Sequence, residues 1–220
     1  METTLGEELL LLSLDDKSGA GKESTKTASA IAAASLVELA LAGRIEVTGD
    51  LVIVRDPAPV GVECLDAALA AVVARDKPRK VADWMYQLKR EAVAGATQGL
   101  QAKGLIREET KKVLGLFPVR RYPEADGSVE AAVRRRLDAA VLQGETPDER
   151  TACLVALLHG AKLHRLAFPA TGARAVEKRM AAIARGQWAA PAVRRVVDAA
   201  EAALTVIITS AATSAVIAGG

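Results

Sequence analysis

The stretch ASAIAAASLVELALAGRIEVTGDLVIV, Ala28–Val54, decides how this chain is read. Apolar and small residues run from Ala28 to Ala42, interrupted only by Glu38, and Ile31, Ser35, Leu36 and Leu39 recur at helical spacing. Gly43 stops the helix. Ile45–Val47 and Leu51–Val54 then read as two short strands turning at Thr48-Gly49-Asp50. The order helix, glycine, hairpin returns at Glu91–Val119. There EAVAGATQGLQAKG ends in Gly104, and LIREE and VLGLFPV supply two β-like segments. In both copies a Leu stands four residues before the glycine, Leu39 in the first and Leu100 in the second.

Outward from these two units the sequence is helical. Leu5–Leu14, LGEELLLLSL, is a short apolar helix with Glu7 and Glu8 in its first turn, where the positive helix end favours them. Asp15–Thr27 is polar, contains Gly19 and Gly21, and reads as a mobile loop. Glu63–Val73 is a helix with a stripe of Cys64, Leu65, Ala68, Leu69, Val72 and Val73. Separate helices are expected at Val81–Leu88 and Glu91–Lys103. Four more follow near Val129–Leu142, Asp148–Phe168, Ala173–Arg185 and Ala192–Ile217, punctuated by glycines and prolines. No stretch has linker composition. The expectation is one mostly α domain over residues 1–220 with two β-hairpins, a core over 3–206 and an apolar tail over 207–220.

Composition narrows the function. The chain has 220 residues and is 50% hydrophobic, so it can bury a large core without disulfides or metals. Aromatics make up 3%, which leaves Ala, Leu and Val to fill that core and favours close helix packing. Each helix–hairpin unit has a winged-helix look. The net charge of +2, however, argues against a dedicated nucleic-acid binder, and no nucleic-acid partner is expected. Cys64 and Cys153 both lie in apolar helices and read as buried thiols. No secretion signal opens the sequence, so a cytoplasmic protein is expected.

Catalytic patterns are absent. LLLLSLDDKSGAGKEST has a superficial P-loop order, but Asp16 stands where the first glycine belongs, and Glu23 stands where the metal-binding hydroxyl belongs. His159 and His164 are five apart, off the spacing that brings two ligands to one helix face. No metal, cofactor or enzyme activity is expected. Lys111, Lys112, Arg120, Arg121 and Arg134–Arg136 make the second hairpin region basic, though interleaved with Glu108, Glu109, Glu124 and Asp126. No charged residue occurs from Ala202 to Gly220, which reads as a buried terminal helix ending in a soft tail.

The segments TLGEELLLLSLDDKSG, ASLVELALAGRIEV, LDAALAAV and LQAKGLIREE resemble the GPP34 family, the Golgi phosphoprotein 3 type, over nearly the whole chain. The resemblance implies a helical globule ringed by amphipathic helices and hairpins. It also implies a peripheral membrane protein that binds phosphatidylinositol 4-phosphate on a basic face and engages the tails of membrane enzymes. Self-association through a β-hairpin is a further implication. The Ala-rich, Arg-over-Lys composition points to a bacterial member.

Carried over by position, the family's lipid site falls on the loop at Glu23-Ser24, on Ala32, and on Arg90 and Val93. Of these only Arg90 keeps the cation. Lys89, Lys22 and Lys26 are its expected helpers, contacting anionic phospholipid headgroups. The alternative is a protein-interaction or scaffolding module that kept the fold and lost the lipid site.

Overall fold

The computed structural model describes residues 2–15, 18–113, 117–186 and 188–217. Helix α2 (Ser24–Leu41) is its axis. Nearly every residue from Thr27 to Ala40 is buried, so the one-faced stripe read from the sequence is in fact a helix covered all round. Helices α1 (Leu5–Ser13), α4 (Val81–Ala102), α6 (Glu149–Gly160) and α9 (Pro191–Ile217) pack on it from different sides. A helix so enclosed cannot enter a nucleic-acid groove, which removes the winged-helix resemblance for the first unit.

The two helix stops share one geometry. Gly43 and Gly104 both have φ +70. Arg44 N–H donates to the Leu39 carbonyl (2.8 Å), and Leu105 N–H donates to the Leu100 carbonyl (2.9 Å). Gly43 and Gly104 donate to Ala40 and Gln101, each at 2.9 Å. Only glycine takes this left-handed position without strain, so the repeated Leu-to-Gly spacing encodes the same helix termination twice.

After the first stop, β1 (Ile45–Thr48) and β2 (Leu51–Val54) pair antiparallel from Ile45↔Val54 to Thr48↔Leu51. A short strand β3 (Arg79–Lys80), which the sequence reading did not anticipate, adds to β2. After the second stop, β4 (Glu109–Val113) and β5 (Phe117–Arg121) pair antiparallel. The turn between them, residues 114–116, lies outside the described residues.

The remaining helices are α3 (Glu63–Val73), α5 (Ser128–Val141), α7 (His164–Ala167) and α8 (Ala173–Ala184). Two helix boundaries and one burial assignment differ from the sequence reading. The two helices expected over 81–103 are one, because Lys89 and Arg90 continue it as good helix formers. The helix expected over Asp148–Phe168 breaks at Ala161–Leu163, where Lys162 has φ +54. Val73, placed in the buried stripe of α3, is exposed. Helix α9 runs through position 206, and Ile207 and Ile208 pack against the core.

The loop before α2 is tied down rather than loose in its described part. Lys22 N–H donates to the Ser13 carbonyl (2.7 Å), Asp15 N–H to Ala20 (3.0 Å), and Tyr122 N–H to Gly19 (3.0 Å).

Both acids of the α1 first turn are buried, a cost that must be met by partners. Glu7 closes a capping box with Thr4 and accepts Lys103. Glu8 accepts Thr3 and Arg136 and lies 3.8 Å from Arg150 of α6, which also reaches Glu38 on α2. The two acids therefore lock α1 to α4, α5 and α6.

Candidate functional site

The four cations expected to meet a headgroup fall into two pairs on different helices. Lys22 and Lys26 flank the start of α2. Both are already engaged, Lys22 with Asp15 at 3.3 Å and Lys26 with Glu23 at 2.8 Å. The Asp15 carboxyl is held down to about 2 by the Ser18 N–H and hydroxyl and by Lys22, so this partner stays ionised. The local charge of the α2 entry is thus balanced.

Lys89 and Arg90 lie mid-way along α4. Arg90 is exposed, Lys89 is half-buried, and neither has an ion-pair partner among the described residues. Residues i, i+3 and i+4 share a helix face, which puts Tyr86 beside both of them. Tyr86 is 83% exposed, while Trp84 two residues earlier is fully buried. Such an open aromatic next to two unpaired cations has the composition of a membrane-interface contact. The sequence reading passed over Tyr86. Its i−4 spacing from Arg90, on the face opposite Trp84, was the signal available.

The two positions where the family's pattern asks for further cations do not supply them. Ala32 is fully buried within α2, and Val93 is half-buried against the core. The side chain at 32 faces the interior, so no cation could act there without breaking the packing.

Other residues singled out in the sequence have structural partners. Arg134 donates to Glu130 and to the carbonyls of Leu166 (3.0 Å) and Ala167 (3.1 Å). Arg136 is held by Glu8 and Thr151. These two arginines therefore serve the interior rather than an outward basic surface. His159 meets Glu201, and His164 meets Glu177, so the two histidines do not converge. Among the described residues no cluster of His, Cys, Asp and Glu could hold a metal, and no helix is long and apolar enough to cross a membrane.

The described residues also form concave surfaces, two of which bear on the elements above. A cavity of about 780 Å³ runs between α3 and α4 over Cys64, Ala68, Leu88 and Gly95, with Glu63 and Glu91 at its sides. A smaller one of about 440 Å³ lies at the start of α2, between Ser24, Thr25 and Lys26 on one side and Ile207 and Ile208 on the other.

Residues 5–200 match the family described as Golgi phosphoprotein 3 (GPP34). The chain belongs to the GPP34 family. Its members are in general non-catalytic. This GPP34 protein is also 33% identical over 162 residues to vacuolar protein sorting-associated protein 74 of Eremothecium gossypii. That alignment covers 61% of the present chain and 47% of the relative, so the chain spans about half the length of the curated relative it matches.

Proposed function

We propose that this GPP34 protein is a non-catalytic peripheral membrane protein that binds anionic phospholipid headgroups of the phosphatidylinositol 4-phosphate type. The observation that carries this reading is the exposed turn of α4, where Tyr86, Lys89 and Arg90 stand together with both cations unpaired. Arg90 and Lys89 meet the headgroup, and Lys22 and Lys26 contribute only if they release Asp15 and Glu23. The Ala-rich, Arg-over-Lys composition supports reading the chain as a bacterial, cytoplasmic member. Self-association through a β-hairpin is part of the same reading.

The test is co-sedimentation with vesicles carrying phosphatidylinositol 4-phosphate, phosphatidylinositol or phosphatidylserine, for wild type and Arg90→Ala. Binding that prefers the phosphorylated headgroup and is lost in the variant supports the reading. A protein that ignores all anionic vesicles at low salt refutes it.

A second reading, a protein-interaction module that has given up headgroup selectivity, is favoured by Ala32 and Val93. With position 32 closed to a cation and an apolar side chain at 93, the site has one Arg where the family's pattern has three. Vesicle binding indifferent to headgroup, together with a saturable protein partner, would favour that reading.

A further inference from the structure

We propose that the exposed face of α8, together with α7 and the turn before it, docks an acidic segment of a protein partner. This surface is separate from the α4 turn, and the docking does not depend on membrane binding.

Charge singles the segment out. Residues 162–185 hold six Lys and Arg against one acid, Glu177, in a chain whose net charge is +2. Arg179 is used internally. Its guanidinium donates to the carbonyls of Ala140 (3.1 Å) and Glu145 (3.2 Å) and fastens α8 to the end of α5. The other five, Lys162, Arg165, Arg174, Lys178 and Arg185, are exposed, and none has a hydrogen-bond or ion-pair partner among the described residues. Arg174, Lys178 and Arg185 recur at i, i+4 and i+11. A helix of 3.6 residues per turn sets them on one face over roughly 16 Å. Lys162 and Arg165 join from the side of α7, which packs on α8 and brings His164 to 3.3 Å from Glu177.

The placement of Arg174 works against the helix that carries it. Arg174 is the second residue of α8, no acid occupies the first turn, and Gly172 supplies no side-chain cap. A cation there opposes the positive helix end, whose dipole favours acids. Local rules are broken most often at functional positions. An incoming carboxylate would meet both the Arg174 guanidinium and the helix end, and so would remove the conflict.

The occupant follows from what else the face presents. The α4 turn has the open Tyr86, but no large exposed hydrophobic side chain lies in 162–185, so this face has nothing to seat in a bilayer interface. A nucleic acid would press its phosphates on Glu177, and the net charge of +2 is small for such a binder. A polypeptide carries its carboxylates on side chains. It can pair them two-pronged with Arg165, Arg174 and Arg185 and leave Glu177 to water.

The test is fluorescence anisotropy of a labelled poly-glutamate peptide with wild type, with Arg174→Glu/Lys178→Glu, and with Arg75→Glu/Lys77→Glu. Arg75 and Lys77 are also exposed and without ion-pair partners among the described residues, so the control changes net charge equally at another place. The expected result is saturable binding that falls with salt and is weakened at least about tenfold by the α8 pair and less than about twofold by the control. Arg174→Glu puts an acid in the first helix turn, so the thermal midpoint should hold. Arg185→Glu, at the other end of α8, is the second variant should the pair fail to fold, and it too should weaken the peptide. Equal loss in the α8 pair and the control would overturn the site, because binding would then follow net charge. So would the absence of saturable binding at low salt. Tighter binding of a DNA duplex or of phosphatidylserine vesicles, lost in the α8 pair, would overturn the acidic-protein assignment in favour of phosphate groups.

Discussion

Lys103 sets its ammonium 2.6 Å from both carboxylate oxygens of Glu7, joining the C-terminal end of α4 to the first turn of α1. Glu7 is almost fully buried and Lys103 about one-fifth exposed, so the pair is shielded from water on one side. Removing one partner strands a buried charge. Lys103→Met is expected to cost on the order of 3 kcal/mol in urea unfolding, and Lys103→Met with Glu7→Gln should recover much of it. If the double variant is no better than the single, the pair is not coupled as the geometry says.

Helices α3 and α4 are in tight contact where Gly95 faces Cys64. A β-carbon at position 95 would lie 2.3 Å from the Cys64 β-carbon. Gly95→Ala should therefore destabilise by about 1–3 kcal/mol, although alanine is the better helix former. Cys64→Ala keeps the offending carbon and should not relieve Gly95→Ala; Cys64→Gly should. Thermal midpoints of the four variants decide this, and rescue by Cys64→Ala would show that the contact is with the sulfur instead.

Much of the fold was legible because it depends on local signals. The Leu39–Gly43 and Leu100–Gly104 spacings encode helix stops that involve only neighbouring backbone, and the structure repeats them bond for bond. The buried role of Glu7 and Glu8 was not legible. Acids in a first helix turn satisfy the helix dipole whether or not Lys103 or Arg136 later folds over them, and those partners are distant in sequence. Strand β3 was missed for the same reason, since Arg79 and Lys80 become a strand only by pairing with β2. At the candidate site, Arg90 could be placed by pattern. Tyr86 could have been placed beside Arg90 by its i−4 spacing, but its exposure and the pairing of Lys22 with Asp15 required the three-dimensional arrangement.

The two thiols should differ in reactivity from any exposed cysteine. Burial pushes the Cys153 thiol up to about 12, and burial followed by the nearby Glu7 charge also raises Cys64, which is only half-covered. The thiolate is the reactive species. In native protein at neutral pH, an aromatic disulfide reagent should leave Cys153 untouched and modify Cys64 slowly. Both should react at once in urea. Rapid native labelling of Cys153 would mean that α6 opens far more readily than its packing implies.

Burial raises the carboxyl of Glu8 above its ordinary 4.5, against the pull of Arg136 and Arg150. For an acid whose value is higher in the folded state, the fold binds the proton more tightly than the unfolded chain does. Below 4.5 both states are protonated and this group costs nothing. Across the window from 4.5 up to its raised value the cost appears, and above that it is fully present. Stability attributable to Glu8 should thus fall as pH rises through that window, and Glu8→Gln should flatten the slope there. Asp15, held near 2, titrates well below and does not interfere. Urea melts of both proteins from acidic to neutral pH provide the check; a wild-type minus variant difference that stays constant with pH would sink the assignment.

The four cations differ in what each must give up to meet a lipid. Lys89 and Arg90 have no ion-pair partner among the described residues and give up only water. A basic side chain at an anionic surface contributes roughly 1 kcal/mol, so Lys89→Ala with Arg90→Ala should weaken vesicle binding by about 2 kcal/mol, roughly 30-fold. Lys22 and Lys26 are balanced by Asp15 and Glu23. Neutralising those acids with Asp15→Asn and Glu23→Gln should therefore strengthen binding if the start of α2 faces the membrane, since the same face then carries two uncompensated cations. Both effects should shrink as salt rises, because exposed charges are screened within about 10 Å at 0.1 M. The decisive comparison is the vesicle-bound fraction of the two double variants against wild type at low and moderate salt. A gain from the acid replacements would put α2's start and the α4 turn on one membrane face. Loss from Lys89→Ala/Arg90→Ala without that gain would leave α4 as the sole electrostatic contact.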